Sequence, residues 1–337
     1  MKFVHYLSFL LLLVWAVACK NEPTHSDDSS TPSEMGKTGN PTIDNISEKI
    51  KKHPDDVSLY VARAQAFYRL EGYDEAILDM NHAIKMDTTQ YEYFLFLSDI
   101  LLDYNRSKDA IRVVNAAVHR FPDNTKCLLK QAEIYYMLKQ YQQSTAALNA
   151  LLLRDNQNAQ AFFLFGQNFK ELGDTTRAIK SYQQAVDLDP DIIDAWINLG
   201  NLWSDKGPSI ARKYYETAIS IDTTNVYALN SYALFLGNQD KLQQSIDVYK
   251  KIARIDPQFS DGFFNAGIMY LTMDSVKQAN RQFDLAVKTN PTFAKAYYYR
   301  GYTFERMDVL DKAKANYEQA LKFDPNLQRA KDALEAF

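Results

Sequence analysis

The sequence predicts an all-α fold, a solenoid of about eight two-helix units with a capping helix at each end. Three observations predict it. Small residues recur in register at Ala64, Ser98, Ala132, Gly166, Gly200, Ala233, Gly267 and Gly301, spaced by 34 with one step of 33. Such an internal repeat overrides any local reading. Within each period apolar residues return at steps of three and four, as Trp196, Leu199 and Trp203 do, which is one face of a helix. And 46% of the 337 residues are hydrophobic and 13% of the whole chain is aromatic, ample for a core that grows in one dimension.

The first element is the apolar run "MKFVHYLSFLLLLVWAVAC". Lys2, the apolar stretch and the small residues before Cys19 read as a signal peptide over 1–18. The run is short and broken by His5, which argues against a permanent membrane span. Its end, "AVAC", resembles the bacterial lipobox, with Ala16 where leucine is commoner. That resemblance implies cleavage before Cys19, lipid attachment to its sulfur and acylation with chains such as palmitate. One chain holds weakly and two or three hold durably. Lys20 following the cysteine points to the outer membrane. Ordinary secretion and a retained anchor stay open as alternatives. Residues 19–42 are polar and rich in Ser, Thr, Pro and Gly, and read as a flexible tether. The "MGKT" at 35–38 lacks the upstream glycine and the preceding strand of a phosphate loop. Residues 43–56, with "IDNISEKIKK", have amphipathic spacing and read as an N-terminal capping helix.

The repeating units follow at 57–90, 91–124, 125–158, 159–192, 193–225, 226–259, 260–293 and 294–327. Each is predicted to hold a helix A, a short turn and a helix B. A second small column runs Ala76, Ala110, Ser144, Ala178, Ala211, Ser245, Ala279, Ala313. A bulky column runs Met80, Val114, Leu148, Tyr182, Tyr215, Tyr249, Phe283, Tyr317. Helix B ends at Thr88, Pro122, Asn156, Pro190, Thr223, Pro257, Pro291, Pro325, where proline cannot continue a helix. Gly200 costs about 1 kcal/mol in helix propensity, so close helix packing must offset it. The third unit, with Ser144, Leu151 and Asn156, is expected to be the least regular. The fifth is one residue short near Gly207–Pro208, which predicts a changed A–B turn and a local change in pitch. Residues 328–337, "QRAKDALEAF", close the array as a C-terminal capping helix.

These columns resemble the tetratricopeptide repeat family, over about four fifths of the chain. The resemblance implies a right-handed superhelix whose A helices line a concave groove, with positions 2, 5, 6, 9, 12 and 13 of each unit facing it. By register the groove residues are Phe163, Gln167, Ile197, Asn198, Asn201, Asn230, Phe264, Asn265, Ile268, Tyr298 and Tyr302. Apolar and aromatic area beside Asn and Gln amides suits a peptide or helical segment of a partner. Asn198 and Asn201 are also consensus residues of the family and so equally mark regularity. The C-terminal stripe around Phe264, Ile268, Tyr298 and Tyr302 could serve a partner, a second copy or the C-terminal helix. Position 5 never holds lysine, which excludes the family's carboxylate clamp.

Chemistry is sparse. His25, His53, His82 and His119 are scattered, one per segment, and none has a partner at metal-ligand spacing on its own helix. Cys127 is the one cysteine besides Cys19 and reads as a semi-buried structural thiol. Acidic residues sit in turns and helix ends, as in "DLDPD". No catalytic, cofactor or metal site is expected, and the net charge of −4 offers no clustered positive field for nucleic acid. The expectation is a non-enzymatic scaffold, exported and lipid-anchored in the cell envelope, binding other envelope proteins. A periplasmic receptor or chaperone for exported polypeptides is the alternative, and an enzyme a third. Oligomeric state and partner identity are not written in the sequence.

Overall fold

The structure, a computed structural model, describes residues 38–337. The expected signal peptide, Cys19 and most of the expected tether lie outside the described residues. The described part is all-α, with 18 helices. Helix α1 (Pro41–Lys52) is followed by eight hairpins: α2 (Val57–Tyr68) with α3 (Tyr73–Met86), α4 (Tyr91–Asp103) with α5 (Ser107–Arg120), α6 (Thr125–Met137) with α7 (Tyr141–Leu152), α8 (Ala159–Glu171) with α9 (Thr175–Leu188), α10 (Ile193–Trp203) with α11 (Pro208–Ile221), α12 (Val226–Asn238) with α13 (Leu242–Ile255), α14 (Ser260–Thr272) with α15 (Val276–Thr289), and α16 (Ala294–Arg306) with α17 (Leu310–Phe323). Helix α18 (Gln328–Glu335) ends the chain. The capping helix at the front begins at Pro41, inside the stretch expected to be tether, because Asn40 caps it and proline fits a first turn.

The chain divides after Tyr93 into two compact units. In the first, Ile50, Tyr60 and Ala83 form the core, with Ile46, Val57 and Met86 against them. Beside that core lies a wholly buried ion pair. Arg63 donates from Nε and Nη2 to both carboxylate oxygens of Asp79, at 2.8 and 2.7 Å. Its Nη1 donates to Ser47 Oγ at 3.0 Å, so α1 completes the network. A buried charge is tolerable only when paired and hydrogen-bonded in this way.

In the second unit the small and bulky columns meet. A Cβ built at Gly166 would lie 2.5 Å from the Tyr182 ring. At Gly200 it would lie 2.7 Å from Tyr215, at Gly267 2.6 Å from Phe283, and at Gly301 2.8 Å from Tyr317. Glycine thus makes room for an aromatic ring on the B helix of its own hairpin. Where the B helix carries Val114 or Leu148, the A helix carries Ser98 or Ala132. Ala233 opposite Tyr249 is the exception.

The A–B turns share one backbone device. Glu71, Asn105, Lys139, Gly173, Asp240, Asp274 and Asp308 all have φ between 54° and 77°. Each closes its A helix as a Schellman motif: Lys139 N–H donates to Tyr136 O and Gln140 N–H to Tyr135 O, at 2.8 Å both. The fifth hairpin lacks the residue that would take this conformation. There Gly207 N–H closes on Trp203 O at 2.8 Å, and α10 is 11 residues long. The altered turn expected from the missing residue is present. The third hairpin is irregular too, since α7 stops at Leu152 after 12 residues, where other B helices run 14.

The B–A turns account for the acidic residues. Asp87, Asp155, Asp189, Asp222, Asp256, Asn290 and Asp324 each accept the backbone N–H two residues on, at 2.8–3.2 Å. These are Asx turns, and they are why acid recurs after each B helix. Cys127, expected to be semi-buried, is fully buried on α6.

Candidate partner groove

Successive A helices pack directly on one another in the second unit, α6 on α8, α10 on α12 and α12 on α14. Their common face therefore presents the same register positions side by side. Across α8, α10 and α12 it sinks into a concavity of about 660 Å³. The lining brings together Phe163, Gln167, Ile197, Asn198 and Asn201, all placed in the groove by register, with Lys170, Asp194, Tyr227 and Ser231.

The side chains differ in what they leave free. Ile197 is 4% exposed and forms floor more than contact surface. It belongs to the core around Tyr215, Phe235 and Leu236. Asn198 spends both polar ends within the chain, donating from Nδ2 to Asp194 O at 2.8 Å and accepting from Lys170 Nζ at 2.9 Å. Asn201 is exposed; its Oδ1 accepts the Tyr215 hydroxyl at 2.7 Å, which leaves its amide N–H donors to the concavity. Tyr215 is pushed up to about 12 by burial, with Asp205 adding to the rise, so it remains a donor to Asn201 at neutral pH. Tyr227 is 73% exposed and stands on the rim. The groove residues read from the sequence do not include it, although its register position is one of those that face the groove. Tyr227 and Asp194 are at position 2, Ser231 at 6 and Lys170 at 12, so extending the same register finds all four.

A second concavity, of about 580 Å³, repeats this register at the end of the array. Tyr298, Tyr302 and Glu305 of α16 face Arg329, Asp332, Ala333 and Ala336, and Tyr299 and Tyr317 contribute their rings. Arg329 Nη1 donates to Tyr299 Oη at 3.0 Å and the Phe337 ring meets Tyr317 at 6.1 Å. Part of the C-terminal aromatic stripe is thus the seat of α18.

The remaining groove candidates lie outside both concavities. Phe264 packs tilted or edge-on against Phe283, Phe293 and Tyr299 with centroids 5.0–5.7 Å apart, so it serves packing. Asn230 is partly buried, and its Oδ1 is buried without a hydrogen-bond partner. Asn265 and Ile268 are partly buried. Among the described residues no group of three or more His, Cys, Asp or Glu could hold a metal ion, and no helix is long and apolar enough to cross a membrane.

Comparison with known proteins agrees with the geometry. The family model described as TPR repeat matches residues 166–207, and two described as tetratricopeptide repeat match 97–161 and 294–327. The C-terminal part of a TPR repeat-containing protein from Cytophaga hutchinsonii superposes with a TM-score of 0.56 at 21% identity, over 73% of this chain and 99% of that one. A tetratricopeptide repeat protein from Parabacteroides merdae gives 0.55 at 17% identity, over 73% and 97%. By sequence the chain is 28% identical over 160 residues to the human protein O-mannosyl-transferase TMTC1, covering 46% of this chain and 18% of that protein. It is 26% identical over 127 residues to the type IV pilus assembly protein PilF of Pseudomonas aeruginosa, covering 37% and 50%. The chain thus spans half or less of the length of these two relatives. The solved structures share the all-α superhelical repeat fold.

Proposed function

We propose, from the premise that this chain belongs to the tetratricopeptide repeat family, that it is a non-catalytic scaffold holding a polypeptide segment of a partner along its A helices. The observation that carries this reading is the recurrence of a concavity in one register, first across α8, α10 and α12 and again at α16 and α18. The first stretch combines an exposed ring, Tyr227, with the amides of Gln167 and Asn201 and the hydroxyl of Ser231. A ring supplies area and amides pair with a backbone, the combination that suits an extended peptide or a helix end. A photoreactive residue at Gln167, compared with one at the outward Gln243 on α13, tests it in intact cells. A discrete stoichiometric adduct at Gln167 alone supports the scaffold. A smear of many clients would shift the reading to a chaperone, and equal labelling at both positions would end the case for the groove.

The run ending at Cys19 supports a finer reading: an exported protein tethered by lipid, serving partners in the cell envelope at the outer membrane. PilF, a pilus assembly protein, is a relative in keeping with that setting. Metabolic labelling with an alkyne fatty acid should mark the wild type and leave Cys19→Ala unlabelled and released from membranes. Equal labelling of both would remove the anchor from the proposal.

A further inference from the structure

One position on the B helices is aliphatic in seven of the eight hairpins: Ile84, Val118, Leu152, Val186, Ile219, Val287 and Leu321. On α13 it is Ala253. The residue before it shows the converse. Ala83, Ala117, Ala185, Ala218, Ala286 and Ala320 are small, whereas α7 has Leu151 and α13 has Ile252, both buried. The third position of the following A helix is Tyr93, Cys127, Ala161, Ala195, Ala228 and Ala296 elsewhere, but glycine at Gly262. A Cβ there would stand 3.4 Å from Ile252 and 2.9 Å from the Phe259 ring. The glycine makes room for the Phe259 ring, and α13 alone has its bulk one residue early with only Ala253 after it, where α7 has Leu152 after Leu151; the space of the missing aliphatic side chain is left open.

That space is a cavity of about 270 Å³ among α13, α14 and α15, with Ala253 and Gly262 in its lining and Lys250, Arg254, Tyr270 and Gln282 adding polar groups to it. It shares no residue with either concavity of the A-helix groove. Lys250 is held by Asp247 at 3.0 Å, while Arg254 is exposed and makes no ion pair among the described residues. An apolar hollow with an unmatched cation beside it fits a ligand that is apolar at its tip and anionic beside it.

We infer that this gap is a second docking site, taking one aliphatic or aromatic side chain of a partner polypeptide whose neighbouring carboxylates meet Arg254 and Lys250. The partner restores from outside the side chain that the repeat lacks. The probe is a fluorescein-labelled peptide, Glu-Glu-Leu-Phe-Glu-Glu, followed by anisotropy with the full chain. Ala253→Ile refills the column. It should hold or raise the melting temperature and weaken the peptide by about tenfold or more, the worth of one buried side chain. Arg254→Glu should weaken it too and favour the lysine-flanked version of the same peptide. Replacing Leu-Phe by Ala-Ala should abolish binding. Failure of the wild type to bind, unchanged binding by Ala253→Ile, or a melting temperature lowered by that substitution would each overturn the site. None of these outcomes touches the A-helix groove, whose own test stands apart.

Discussion

Replacing Gly200 with alanine sets two residue-scale effects against each other. Helix propensity gains about 1 kcal/mol, but the new methyl meets the buried Tyr215 ring at 2.7 Å. Overpacking costs about 1–3 kcal/mol, so Gly200→Ala should lower the denaturation midpoint. Adding Tyr215→Leu, which copies the natural Ala132 and Leu148 pair, should recover part of the loss in a double-mutant cycle. Strict additivity would mean that the two columns are not coupled. The rings also set an alkaline limit. Burial raises Tyr182, Tyr215, Tyr249 and Tyr317 above the usual tyrosine range. A raised folded pKa means stability is complete below the unfolded value near 10 and is lost as pH climbs beyond it. Circular dichroism should therefore show unfolding beginning above about pH 10. Tyr182→Phe, whose hydroxyl has no partner, should push that onset upward without loss at neutral pH. Tyr215→Phe forfeits the bond to Asn201 and should cost about 1 kcal/mol at neutral pH.

Among elements, the turns are the weakest-determined part. Six of the seven left-handed turn residues are not glycine. For residues other than Gly, Asn and Asp that conformation costs about 1–2 kcal/mol. Lys139→Gly and Glu71→Gly should accordingly raise stability in urea, and Gly173→Ala should lower it. The same change at Lys206, in the turn that lacks the motif, should bring no such gain. The sequence made the helices legible because their columns repeat eight times. The Schellman turns were not legible, since Glu, Asn, Lys, Gly and Asp occupy one conformation and no residue type marks it. Gly207–Pro208 was readable because a deletion disturbs every later column. The groove was half legible for a related reason. Register told which positions share a face, but burial of Ile197 and the enclosure of Phe264 depend on the bulk of neighbouring rings.

At the scale of the whole molecule the two ends are treated differently from the middle. Arginine stands at the seventh position of only the first and last hairpins, as Arg63 and Arg300. Arg63 is neutralised by Asp79; Arg300 donates to Asn316 at 2.7 Å and to Asp284 at 2.9 Å. Neither arginine belongs to a repeating column, so the register alone gives no sign of its role. Removing one partner of the wholly buried pair strands a charge, so Asp79→Ala should cost about 3–5 kcal/mol. Hydrogen exchange should show that loss in α1, α2 and α3, since the network joins these helices. A terminal cap matters at the other end too. Deleting residues 328–337 uncovers Tyr298, Tyr299 and Tyr317 and should speed exchange in α16 and α17, while wild-type protection there would deny α18 a capping role.

Cys127 gives the array a built-in clock. Wholly enclosed on α6, its sulfur can meet a water-soluble thiol reagent only while that stretch opens. The rate at which purified 38–337 consumes such a reagent therefore times the breathing of one hairpin in the interior of the stack. A surface cysteine engineered elsewhere for a dye would react first, leaving this slower signal to be read separately.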